Sequence, residues 1–181
     1  MSAYNRRNFL KTSVIGGIAA SFAGTSAIFA SPEEKPAQTA SVAITTGDNR
    51  ADLAFRALKP YSKQIQQAIG NRLVVLKPNN VSTEVPLCAT HVDTMEGILE
   101  FLKSIGKLDN AIIAESAANA PTFEGFSNYN YFSLGSKYPV KFVDLDEHGS
   151  EVLYVFDEKD FRPHPVRFSN IILSPDSYVI S

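Results

Sequence analysis

The chain has 181 residues, 44% hydrophobic and 20% charged, with 10 Gly, 10 Pro, one Cys and no Trp. That composition suits one globular domain and not a fibrous or disordered chain. A single Cys excludes an internal disulfide, and also any zinc-finger or iron–sulfur centre that needs several thiolates. The net charge is −2, but residues 1–30 carry Arg6, Arg7 and Lys11 and no acid. The remainder therefore stands at −5 and gives no electrostatic reason to expect nucleic acid or anionic lipid as a partner.

Arg6-Arg7-Asn8-Phe9-Leu10-Lys11 precedes an uncharged run of apolar and small residues from Thr12 to Ala30. A basic start, an apolar middle and a small-residue exit is the layout of a removable signal, and the paired arginines look like the twin-arginine type. Gly16, Gly17, Gly24, Thr25 and Ser26 dilute the run below a good spanning helix, and no basic stop-transfer cluster follows. The implied partner is the twin-arginine translocase, the implied location is periplasmic or otherwise extracytoplasmic, and membrane contact is confined to the signal. That route carries folded proteins, often assembled around a cofactor, though these residues identify none. Residues 31–40, with Pro32 and Pro36 and no large apolar side chain, read as a linker, so the folded domain is predicted over 41–181.

Val42-Ala43-Ile44 predicts a short strand. From Arg50 to Ile69, apolar residues at three- and four-residue spacing predict a helix that Pro60 must kink or split and Gly70 ends. Leu73-Val74-Val75-Leu76 is an apolar run suited to a strand buried on both faces. Thr90 with Asp93 resembles a capping box ahead of the stripe Val92, Met95, Ile98, Leu99, Leu102 and Ile105, which Gly106 closes. Ala111 to Ala114 predicts a second buried strand, and Val140 to Leu145 another strand after it. Residues 117–137 read as a loop with a short helix near Thr122 to Tyr129. Val152 to Phe156, Arg167 to Leu173 and Tyr178 to Ile180 predict further short strands. Together these predict an α/β fold: a mostly parallel sheet flanked by helices, with a β-rich C-terminal extension.

In such a sheet, ligands bind beyond the carboxyl ends of the strands. The residues predicted to lie there define the candidate site. Lys77, Asn79 and Asn80 leave the first buried strand and can present a cation and amide donors to a small anion, or make a solvated turn. Thr90 begins the next helix with His91, which can act as acid, base or ligand, or serve only as a cap. Glu115 and Ser116 end the second buried strand, Glu115 as a candidate general base. Asp144 and Asp146 end the strand after it as carboxylates suited to a hard cation, or as turn formers. Cys88 and His91 make at most half of a soft-metal site. His148 and His164 sit in loop-like sequence, and Phe123, Phe126, Tyr129, Tyr131 and Phe132 can pack a long loop or stack on a ligand. No Walker loop, dinucleotide fingerprint, nucleophile elbow or His-Glu-x-x-His occurs.

Val74-Val75-Leu76-Lys77-Pro78-Asn79, Ala89-Thr90-His91 and Ala114-Glu115-Ser116 together resemble the family called domain of unknown function 362, over about Val42 to Ser181. The resemblance implies the same fold and export by the twin-arginine route, which several members use. Some members add a ferredoxin-like module with cysteine clusters, of which these residues have none. It also implies that a Pro-Lys-x-Lys-x-His segment and more domain follow Ser181, so that residues 41–181 form the front of a family domain. It supplies no activity to transfer. Two functions stay open: an exported cofactor- or metal-dependent enzyme acting on a small anionic metabolite, or a non-catalytic extracytoplasmic binding or accessory protein. A truncated product is the third reading.

Overall fold

The structure, a computed structural model, describes residues 40–118 and 120–181. The signal predicted over residues 1–30, and all but the last residue of the linker, lie outside the described residues.

No strand forms at Val42–Ile44. Val42 and Ile44 are exposed, and the segment is instead strapped to the first helix by Thr45 Oγ1 donating to the Leu53 carbonyl (3.2 Å) and Arg56 donating to the Thr46 carbonyl (2.9 Å). Three apolar residues without a sheet edge beside them have nothing to pair with. Helix α1 (Arg50–Leu58) starts where the Asn49 side chain accepts from the Asp52 N–H (3.0 Å), and an Asp52–Arg56 pair (2.7 Å) braces its first turns. Pro60, with no N–H to donate, falls in a single 3₁₀ turn at Lys59–Tyr61, after which the chain restarts as α2 (Ser62–Ile69). Gly70 ends it at φ 55°, a conformation that favours glycine.

Strand β1 (Leu73–Leu76) leads through a loop to helix α3 (Val92–Ser104), then to β2 (Ala111–Glu115). The cap of α3 differs from the expected capping box. His91 is the N-cap, its Nδ1 accepting from the Asp93 N–H (3.2 Å), while Thr90 turns its hydroxyl to the Asn79 N–H (2.9 Å). The predicted stripe holds: Met95, Leu99 and Leu102 are fully buried. The chain continues as α4 (Thr122–Asn128), a 3₁₀ segment at Tyr131–Ser136, and β3 (Lys141–Asp144). The aromatic residues of this stretch pack the segment onto the domain. Phe126 contacts Tyr131 and Phe132, and Phe132 meets Phe142 of β3 edge-on at 4.9 Å. Burial pushes the Tyr131 phenol above its ordinary range, with Tyr129 and Glu115 adding to the shift. Its hydroxyl donates to the Thr90 carbonyl.

The last third forms an antiparallel hairpin, β4 (Ser150–Phe156) with β5 (Pro163–Ser169), a short helix α5 (Asn170–Leu173), and β6 (Ser177–Ile180). The strand predicted over Arg167–Leu173 is therefore divided. Its first residues belong to β5, and Asn170 to Leu173 coil so that Ile171 and Ile172 can pack on the sheet.

Four parallel strands make the main sheet in the order β3-β2-β1-β6. Alternation sorts its two faces. Val74, Leu76, Ala111 and Ile113 join the large core with Ile69, Met95, Leu99, Leu102 and the aromatic segment. Val75, Ile112 and Ala114 face the other way, under Leu145, Ile171 and Ile172. At β1 and β2 both faces are buried, which is why these two strands read as unbroken apolar runs.

Candidate functional site

Strand β1 lies between β2, reached through α3, and β6, which arrives later on its other side. The strand order reverses there, and the crevice past the carboxyl ends of the strands opens at such a point. A crevice of about 460 Å³ is found at that end, lined by Lys77 after β1, Ser116 after β2, Leu145 and Asp146 after β3, Ile172 of α5, and Ser150, Arg167, Phe168 and Ser169 of the hairpin.

Lys77 and Glu115 leave neighbouring parallel strands and meet as an ion pair at 2.8 Å. The Glu115 side chain is only 4% exposed, the Lys77 side chain 36%. The second Glu115 oxygen accepts from the Ser116 N–H (2.9 Å). Both oxygens are thus engaged, and Glu115 does not itself line the crevice. It fixes the ammonium that does. Ser116 Oγ donates to Asp146 (2.8 Å), and Asp144 accepts from the Asp146 N–H (3.0 Å), capping the 3₁₀ turn at Leu145–Glu147. Arg167 is exposed on β5 with no carboxylate partner among the described residues, and Ser169 Oγ is buried without a hydrogen bond.

The remaining predicted site residues gather elsewhere. Asn79 donates from its side chain to the Cys88 carbonyl (2.7 Å), and its carbonyl accepts from the Thr90 N–H (3.0 Å). Asn80 is 2% exposed, bridges Ala89, and packs its amide against Gly125. Asn79, Asn80 and Thr90 therefore stitch together the loop between β1 and α3. His91 lines a different hollow of about 210 Å³, with Thr90, Tyr129 and Asn130. His148 Nδ1 lies 2.8 Å from the Asp144 carbonyl, and His164 lies 3.8 Å from Asp160 at the end of the hairpin. No cluster of three or more His, Cys, Asp or Glu side chains suited to a metal ion occurs among the described residues.

Lys77, Ser116 and Asp146 are thus brought together, and Arg167 joins them unforeseen. Its signal was present: a cation between Val166 and Phe168 in β5, whose alternation sets it on the face shared with Ser169.

No curated protein and no solved structure matches the chain. The family model described as Domain of unknown function (DUF362) matches residues 74–180, the span from β1 to β6 that carries every wall of the crevice. That match takes in more than half of the sequence, and the chain belongs to this family.

Proposed function

We propose that this is an exported protein that holds a small anionic metabolite in the crevice at the carboxyl ends of β1, β2 and β3. The observation that carries the reading is the placement of Arg167, a cation without a carboxylate partner among the described residues, in one crevice with Lys77. A guanidinium fork suits a carboxylate or phosphate. Asp146 stands in the same crevice, and among the described residues its carboxylate accepts one side-chain hydrogen bond, from Ser116. A ligand that also carries a hydroxyl satisfies it, whereas a bare anion is repelled. The expected ligand is thus a hydroxy acid or a hydroxyl-bearing phosphate.

Malate raises the melting temperature of the full chain more than succinate does at equal ionic strength, by roughly 5–10 °C at a hundredfold excess over its dissociation constant. Arg167→Ala abolishes the rise and leaves the far-UV spectrum unchanged. Equal rises in wild type and variant would refute the assignment.

The export half of the reading is supported by Arg6-Arg7-Asn8-Phe9-Leu10-Lys11 and the uncharged run that follows. Arg6→Lys with Arg7→Lys keeps the chain in the cytoplasm on cell fractionation. Undiminished appearance of the double variant in the periplasm would contradict twin-arginine export.

A further inference from the structure

The β4–β5 hairpin leaves apolar side chains uncovered on both faces: Val152, Tyr154 and Phe156 on one, Leu153, Val155 and Val166 on the other, with Tyr154 66% and Phe156 72% exposed. A two-stranded ribbon of this kind is marginal alone in water.

Its two edges are chemically different. Gly149 with Asn170 and Asp157 with Arg162 are joined by backbone hydrogen bonds at the two ends of the ladder. Counting in twos from these pairs, residues 151, 153 and 155 of β4 direct their N–H and C=O groups inward to β5, and residues 150, 152, 154 and 156 direct theirs outward. On β5 the outward positions include Pro163 and Pro165, which have no N–H. The β5 edge therefore refuses a further strand. The β4 edge offers a donor and an acceptor at Ser150, Val152, Tyr154 and Phe156, with no proline or lysine to blunt it.

We propose that this edge is a homodimer interface, in which β4 pairs antiparallel with β4 of a second copy about a two-fold axis at Leu153. In that register Ser150 faces the second copy's Phe156 and Val152 its Tyr154, so every outward backbone group finds a partner. Leu153 faces its own copy, and Glu151 lies opposite Val155, which keeps like charges from facing each other. The Val152–Tyr154 pairing is of the β-branched and aromatic kind that stabilises sheets. The product is a closed four-stranded sheet whose outer edges are the two proline-bearing β5 strands, so growth stops at two chains.

The test is sedimentation equilibrium on the full chain with two variants. The wild type sediments as a dimer at micromolar concentration. Tyr154→Pro sediments as a monomer with its secondary structure kept, because the N–H it removes points away from β5. Leu153→Cys in a Cys88→Ser background forms an intermolecular disulfide on mild oxidation, since residues facing each other across the axis lie within bridging distance, while Glu151→Cys does not. A monomeric wild type, a dimer that survives Tyr154→Pro, or crosslinking through Glu151→Cys in place of Leu153→Cys would each overturn the proposal.

Discussion

Lys77→Met lowers stability by about 2–3 kcal/mol, and adding Glu115→Gln restores most of the loss. The single change leaves the Glu115 carboxylate, 4% exposed, with the Ser116 N–H as its one remaining partner among the described residues. Breaking a fully buried pair from one side costs about 3–5 kcal/mol. Lys77 keeps about a third of its side chain in solvent, and water screens that part of the attraction, so the lower figure holds. The amide at position 115 removes the uncompensated charge, which is why the double variant recovers. Urea unfolding of the two single variants and the double variant gives the coupling directly. A loss below about 0.5 kcal/mol for Lys77→Met, as for an ordinary surface site, would show that the pair does not hold the strand ends together. The stability cost also means that Lys77 variants mix folding with ligand binding, whereas Arg167, exposed and without a side-chain partner among the described residues, reports on binding alone.

Gly97→Ala is expected to destabilise the domain by about 3 kcal/mol net and lower its melting temperature by roughly 10 °C. A methyl group at this position would stand 2.2 Å from the Ala51 carbonyl oxygen and 2.9 Å from the Ala51 Cα. Those atoms are helix backbone, so no rotamer change relieves the clash; α1 must separate from α3. Alanine's better helix propensity, about 1 kcal/mol, offsets only part of that cost. Thermal unfolding of Gly97→Ala beside Gly106→Ala separates the two roles of glycine. Gly106, at φ 67° with open space around it, meets only backbone strain and loses less. If Gly97→Ala matched wild type, the close approach of the two helices would be wrong.

The fold was largely legible because it obeys local rules. Unbroken apolar runs marked the doubly buried strands β1 and β2, the stripe from Val92 to Ile105 marked α3, and Pro60 marked the break between α1 and α2. Legibility failed where tertiary pairing decides. Val42–Ile44 has strand composition but no edge beside it, and Asn170–Leu173 has β-branched residues but must coil to bring Ile171 and Ile172 onto the sheet. The site divided along the same line. Lys77, Ser116 and Asp146 follow strands that are neighbours in the sheet, so strand ends predicted their meeting. Asn79, Asn80 and Thr90 sit at the same end, but the side chains of Asn79 and Thr90 are spent on the loop backbone and that of Asn80 on the Thr122 carbonyl of α4, while His91 caps a helix beside another hollow. Spacing along a strand does not disclose such local hydrogen bonds. Arg167 was missed because its place depends on the hairpin folding back over the sheet, a long-range event.

The most direct test of the crevice is a titration of the isotopically labelled chain with malate, followed through backbone amide resonances. Shifts confined to Lys77, Ser116, Asp146, Ser150, Arg167, Phe168 and Ser169 are the expected result. Shifts centred on Thr90, His91 and Tyr129, or none anywhere, would contradict the account and return those crevice residues to a structural role.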